Sequence, residues 1–549
     1  MNPSAPAAPL RVEDFPDVLP LRDAAGRRVG LFSDRGSWLA VAQAEDGGLE
    51  LVDTEHGRDF GRLELGGEVA QVTVWSDRLD VELAGGRAVR IGFAAPGTLL
   101  VEGAPELAAP LPTRPFSEGI LVGRTLDPPP PPAVFARNRE RRRRAFERFS
   151  ALAGRPLDER ERRLAVRALT TLAWNTRAPR GDLLEEGVVP SPFAYRGYWG
   201  WDSWKHAHAL GRVAPELSAA QMRVMFARQR ADGMVPDTAY PDRRQDNWSN
   251  TKPDLSGWAL ESVVAGTAET YGGRRADVVR RELLGHCEAF QRWWDRDRRL
   301  PGEVLHRPGG VDHRTATWDH GWDDSARFAG AALVPHAGWM LLDVVPPDLN
   351  AWHLVTQRTL ARLALVDAPG GEAEWRRRAE EQAAALQGTW DAQQWAFVDR
   401  RGDGVRGLLS IATAFPVWAG AATEGQAEAV RAALRDPERF ATPMPFPTLA
   451  VSEPAFDPQG YWDGSVWVDH AAVALHVLGA GDDADRAAAA ELGGRLLAAL
   501  DRSPTLWECY DPTSGGPVRS GRAAAPQFSW TAAAVLWLLA GGPHPGPLR

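Results

Sequence analysis

At 549 residues, with 72 acidic side chains against 63 Lys and Arg and a formal net charge of -9, the chain exceeds one ordinary compact core and lacks the cationic surplus that a phosphate backbone requires. No run approaches the ~20 apolar residues of a bilayer crossing, so neither a nucleic-acid nor a membrane partner is expected. The N-terminal MNPSAPAAPLRVEDFPDV lacks the basic start and apolar stretch of a secretory leader, which makes a cytoplasmic location the expectation.

From about residue 29 to 125 apolar residues alternate with period two, as in Val72/Val74, Leu79/Val81/Leu83 and Val89/Ile91/Phe93, with turn signals at Ser76-Asp77 and Gly85-Gly86. Short strands with one buried face and no helices between them predict an antiparallel β-sandwich over 1–127. Prolines 128–132 then predict an extended linker, and the arginine-rich stretch Arg137–Arg144 a solvated helix face, together a linker segment over 128–155.

Beyond residue 156 the period becomes 3.6. Stripes run through Val279, Leu283, Cys287, Phe290 and Trp294, through Leu349, Trp352, Thr356, Leu360 and Leu363, and through Trp375, Ala379, Ala383, Leu386 and Trp390. Further helices are predicted at 158–176, 202–212, 217–230, 254–271, 466–478, 484–501 and 527–540. A succession of helical hairpins without a fixed repeat length predicts a closed (α/α)6 toroid over 156–549, in which distant loops converge on one pocket.

The composition includes 23 Trp against 6 Tyr, and the longest loops mix Trp, Asp and Gly. Indole faces suit the apolar faces of a pyranose ring. Cleaving a glycosidic bond takes two carboxylates, one to protonate the leaving oxygen and one to activate water or attack carbon. The first candidate is Asp323, in the segment Trp318-Asp319-His320-Gly321-Trp322-Asp323-Asp324-Ser325; helix capping by Asp323, Asp324 or Ser325 ahead of Ala326 is the structural alternative. The second is Glu508, in Trp507-Glu508-Cys509-Tyr510-Asp511-Pro512, for which an ordinary surface-loop glutamate is the alternative.

Two segments resemble a sugar-binding wall, Phe193 through Lys205 with Tyr198, Trp199, Trp201 and Asp202 in it, and Tyr461-Trp462-Asp463-Gly464-Ser465-Val466-Trp467-Val468-Asp469; Met234–Asp237 followed by Asn247-Trp248 through Lys252 and Pro253 supplies more loop polar groups, with helix entry at Pro253 as the alternative. Aromatic rings supply stacking surface, and Asp202, Lys205 and Asp463 supply hydrogen bonds to hydroxyls. His206 and His208, two apart on a helix, point to different faces and do not form a metal pair. Cys287 and Cys509 are distant and in unlike settings, so no disulfide or zinc site is expected, and no nucleotide-binding glycine pattern is present.

The ordered segments YWGWDSWKHA, GMVPD, NWSNTKP, GWDDSARF, PFPTLA, YWDGSVWVD, ECYDPTSG and PQFSW resemble the family 63 glycoside hydrolases, in particular bacterial α-glucosidases with a β-sandwich before an (α/α)6 toroid. The resemblance implies an inverting reaction on a small carbohydrate, with Asp323 as general acid and Glu508 as general base, and no cofactor. It also implies that Trp201 and Asp202 help form the subsite for the non-reducing sugar, with Trp318, Gly321, Trp322, Tyr510 and Trp530 in the surrounding segments. Two departures are visible. The family commonly has Arg where Asp463 stands, whereas trehalases, related in fold, carry a Trp-Asp pair there; trehalose and glucosyl- or mannosyl-glycerate are therefore alternative substrates. Its close bacterial members also carry a calcium-type loop, which Asp295-Arg296-Asp297-Arg298-Arg299 fills with arginines, so no metal is expected. Outside hydrolysis, the remaining readings are a non-catalytic sugar-binding protein and a lyase or epimerase with Tyr198 or Tyr510 as base.

Overall fold

In the computed structural model, residues 15–126, 130–364 and 369–544 are described. By internal packing the chain divides into a first unit, Met1–Arg196 with Leu500–Trp507 and Ala525–Ala540, and a second, Gly197–Ala499 with Glu508–Ala524 and Gly541–Arg549.

The first unit opens with antiparallel sheets. Strands β1 (Leu39–Gln43), β2 (Leu49–Asp53) and β3 (Arg58–Leu63) form one; β4 (Val69–Val74), β5 (Leu79–Leu83), β6 (Ala88–Ala95), β7 (Thr98–Glu102), β8 (Thr113–Phe116) and β9 (Gly119–Gly123) form the other in the order β4-β5-β6-β7-β9-β8. The alternation read from the sequence sets the register: Val81 pairs Val89 and Leu79 pairs Ile91, with all four side chains buried. Phe32, bridged to Val41 of β1, packs its ring 5.6 Å from Phe93 of β6.

The helices are α1 (Val134–Ala153), α2 (Glu159–Trp174), α3 (Gly200–Leu210), α4 (Pro215–Phe226), α5 (Ser256–Tyr271), α6 (Gly273–Asp297), α7 (His313–His320), α8 (Pro347–Ala364), α9 (Pro369–Leu386), α10 (Ala414–Trp418), α11 (Glu424–Arg435), α12 (Val468–Gly479), α13 (Asp483–Arg502) and α14 (Ser529–Leu539). Of the predicted proline linker, residues 128 and 129 lie outside the described residues. The arginine run does lie on a helix, α1. Its charge is taken up locally: Arg142 donates to Asp34 at 2.6 Å, while Arg143 and Arg144 each pair with Glu140 at 2.7 Å.

In the second unit α3 packs with α4, α5 with α6 and α8 with α9, and α3, α5, α8, α10 and α12 are neighbours in succession. Two expectations need correction. Trp390, read as the end of the α9 stripe, starts a two-residue strand paired with Ala396–Phe397, because the helix stops at Leu386. No α-helix begins at Ala326: residues Ala326–Phe328 form one 3-10 turn capped by Ser325, and the helix of this segment is α7, upstream of Asp323. Among the described residues no helix is long and apolar enough to cross a membrane.

The start of α5 carries a pH-dependent cost. Asp254 is fully buried and accepts from the Ser256 N–H at 2.8 Å and hydroxyl at 2.6 Å. Burial pushes its carboxyl up to about 7 against those hydrogen bonds. Between the ordinary value of 3.8 and about 7 the unfolded chain is ionised there while the fold keeps the proton, so this group's contribution falls as pH rises through that window and is flat above it. Asp254→Asn removes the slope. From pH 4 to 8 its stability relative to wild type is expected to improve by on the order of 3 kcal/mol in urea melts; parallel stability curves would refute the assignment.

Candidate active site

The acid-bearing segment is fixed by the end of α7. Asp312 caps the helix in a reciprocal box with Thr315, and the helix ends at Gly321, whose φ of 96° is open to glycine. A Cβ at Gly321 would lie 2.4 Å from the Trp201 ring, so the glycine also lets that indole lie against the backbone. Trp322 then turns inward. Its ring stacks on Trp462 with centroids 5.0 Å apart, and its Nε1 donates to His470 Nε2 at 3.1 Å. His470 Nδ1 in turn meets Asp469 at 2.8 Å, which selects the tautomer that leaves Nε2 as acceptor. Asp323 emerges from this anchored residue, and Asp324 behind it adopts a left-handed φ of 59°, strain of the kind a functional site retains.

Both oxygens of Asp323 face cations. Lys252 Nζ lies 3.5 Å from Oδ1, and Arg522 donates to Oδ2 at 3.0 Å. Lys252 is held from behind by Trp318 O at 2.5 Å and Asp237 at 3.3 Å, and Asp237 is steadied by Asn247 and Asn250. Burial would lower the Lys252 ammonium, but Asp323, Asp237 and Asp202 outweigh it and hold it above its ordinary value. The Arg522 guanidinium lies 4.2 Å over the Tyr461 ring, and the Tyr461 hydroxyl donates to Glu508 Oε1. A continuous string of contacts therefore joins Asp323 to Glu508.

Glu508 is buried, and the backbone ladder between Tyr510 and Val466 sets its place beside the Trp467 segment. Its neighbour Cys509 is also buried, which pushes the thiol well up. Asp202 completes the acidic set: burial raises its carboxyl to about 7, with Lys205 and Lys252 opposing and Glu508 adding to the shift. Lys205 is itself brought down to about 8 by burial, despite its pair with Asp469 at 2.9 Å, and its ammonium sits 3.5 Å over the Trp201 ring. Trp467 extends the aromatic wall, stacked on Trp462 at 3.8 Å with planes 4° apart.

The structure thus brings together Trp201, Asp202, Lys205, Lys252, Gly321, Trp322, Asp323, Trp462, Trp467 and Glu508. Other predicted wall residues have structural partners. Tyr198 and Trp199 form a two-residue strand against Thr238–Ala239, Trp199 with its ring 6.2 Å from Tyr240. Trp248 lies under Arg230, the Trp318 ring lies under Arg314, and Tyr510 contributes its backbone to the ladder. One carboxylate oxygen of Asp463 accepts from Ser325 Oγ at 3.0 Å and Ala326 N at 2.8 Å, which ties down the turn after Asp323. Trp530 lies on α14, in the first unit. At Asp295 the contacts go to protein side chains, the cations Arg299 at 2.7 Å and Arg378 and the buried His306 at 3.0 Å; burial raises its carboxyl, yet these partners hold it at about 2. Sequence reasoning missed Arg522 and His470, whereas Tyr461, Asp469 and Asp237 lie in segments it singled out without giving them a role of their own. Tyr461 opens the segment containing Trp462, and Asp237 closes GMVPD.

Two carboxylates in one aromatic site, each hydrogen-bonded and neither touching the other in the contacts above, can divide acid and base work between them. The family described as "Mannosylglycerate hydrolase MGH1-like glycoside hydrolase domain" matches residues 195–531, which contain every one of these groups. The chain belongs to the MGH1-like glycoside hydrolases. As a member of that family it is a glycosidase, in keeping with the resemblance to family 63. Among solved structures, this MGH1-like chain is similar in fold to the GH63 mannosylglycerate hydrolase of Thermus thermophilus in complex with glucose, at 23% identity and a TM-score of 0.56 over 68% of this chain and 99% of that one. The same enzyme with Tris and D-glycerate gives 20% identity and a TM-score of 0.55 over the same shares. Neutral trehalase of Saccharomyces cerevisiae gives 17% and 0.51, over 65% of this chain and 73% of that one.

Proposed function

We propose that the protein is an inverting, exo-acting hydrolase of a small α-glycoside of glucose or mannose, with Asp323 as general acid and Glu508 as the base that activates water. The carrying observation is the string Asp323–Arg522–Tyr461–Glu508: two side chains in series stand between the carboxylates. No contact joins the two carboxylates directly, in keeping with an inverting pair, whose acid and base leave room for a water between them. In this reading the helical hairpins close into an (α/α)6 toroid, with the sequence-based divisions at 127 and 155. Asp202, neutral up to about pH 7, accepts or donates at a sugar hydroxyl beside the Trp201 face.

Among substrates, a glucosyl- or mannosyl-glycerate is favoured by the family description and by the relative solved with D-glycerate; neutral α-glucosides and trehalose are the competing arms. Incubating the purified protein with this panel and following a fresh reaction by proton NMR tests both parts. The β-anomer is expected first, later equilibrating with the α-anomer. Initial α-anomer would exclude inversion, and no turnover of any panel member would exclude the substrate class.

A further inference from the structure

A general acid has to be aimed within about 0.5 Å and 10–20°, because a proton passes only between groups already in line. Asp323 follows directly on Gly321 and Trp322, so the fixation of those two residues decides its aim. Trp322 is fully buried, with the Trp462 ring 5.0 Å away at 14° and the Arg327 guanidinium 4.2 Å over its own ring. Stacked contacts of this kind resist tilting but are shallow against rotation of the indole within its plane. A directional contact at the ring edge stops that rotation, and an indole has one N–H to give. It goes to His470 Nε2 at 3.1 Å.

His470 is framed in turn. Its Nδ1 meets Asp469 Oδ1 at 2.8 Å, and the other Asp469 oxygen takes the Lys205 ammonium at 2.9 Å. That ammonium lies 3.5 Å over the Trp201 ring, and the same ring abuts Gly321, where a Cβ would meet it at 2.4 Å. A string Trp201–Lys205–Asp469–His470–Trp322 therefore closes on both residues that precede Asp323, and the side chains of Lys205, Asp469 and His470 are at most 3% exposed. We infer that the Asp469–His470 pair is a positioning device for the general acid: the carboxylate on Nδ1 keeps His470 a neutral acceptor at Nε2, which holds the Trp322 indole and through it the direction of the Asp323 carboxyl. This rests on the reading of Asp323 as the acid. His470 acts through Trp322 and handles no proton of the reaction, so its loss costs proton donation and spares the steps that need none.

Two substrates with one glycosyl group test this: glucosylglycerate, whose leaving oxygen needs a proton, and α-glucosyl fluoride, whose fluoride departs without one, with the mannosyl pair in parallel. His470→Phe keeps a ring against Trp322, Trp462 and Phe415 but offers no acceptor. It is expected to lower kcat on the glycerate substrate by about 30-fold with KM little changed, and to stay within about threefold of wild type on the fluoride. His470→Gln, whose amide oxygen can accept the indole N–H, should recover most of the loss. Trp322→Phe removes the donor instead and should match His470→Phe, and the double variant should be no worse than either. Equal losses on both substrates, no recovery in His470→Gln, or losses that multiply in the double variant overturn the positioning role. If His470→Phe does not fold, Trp322→Phe decides by the same split between substrates. Asp323→Asn on the same pair separates the two readings. If it loses equally on both, or if wild type turns over neither, the acid assignment and the positioning role fall together; if it shows the split while His470→Phe does not, the positioning role alone falls.

Discussion

Asp323→Asn is expected to lower kcat on glycosides with a sugar or glycerate leaving group by about a thousandfold or more, the range of a lost general acid. The amide keeps the shape, and its one oxygen can accept from either Arg522 or Lys252 but not both, so a loss confined to substrates that need a proton reports proton donation and not collapse of the loop. A leaving group that needs no proton makes the argument specific. α-Glucosyl fluoride departs as an anion, so the variant should lose only about tenfold on it. Steady-state rates on both substrates check this, and an equal loss on each would remove Asp323 from the acid role.

Glu508→Gln is expected to cost about as much on the natural linkage, and here the fluoride should give no relief, because the attacking water still lacks its base. The amide oxygen can accept from the Tyr461 hydroxyl as the carboxylate does, so the segment should keep its place. Added azide, a nucleophile that needs no deprotonation, should restore turnover and yield the β-glycosyl azide by attack from the water's side. Wild-type rates on the fluoride in this variant, or an azide product of α configuration, would contradict the assignment.

Much of this architecture follows from local patterning. Period-two alternation placed β5 and β6, and a 3.6-residue stripe placed α6, because one face of each is buried. Trp390 misled because an apolar residue can fall on the helical period after the helix has stopped. Helix α7 went unread although Asp312 and Thr315 form its capping box; it spans only His313–His320, too short for a stripe to declare itself. At the site, the search for acids in aromatic loops reached Asp323 and Glu508, which the structure joins through intervening side chains. Asp463 reads as a hydroxyl-binding group from its Trp- and Asp-rich segment, but direction within a loop is decided by tertiary partners, and one of its carboxylate oxygens turns to Ser325. Arg522 left no trace at all. It sits in a Ser-Gly-Arg-Ala turn, and only chain closure over 199 residues brings it to Asp323.

The order in which the two units use the chain limits how such an enzyme can be recombined. Glu508–Ala524 belongs to the unit that carries Asp323, yet the stretches on either side of it, Leu500–Trp507 and Ala525–Ala540, belong to the other. No uninterrupted clone contains one unit whole and nothing of its companion. A single crossover with a homologue between residues 324 and 507 inherits Asp323 and Glu508 from different parents, so a chimera that preserves a matched pair places its joint before Asp323 or after the loop of Arg522.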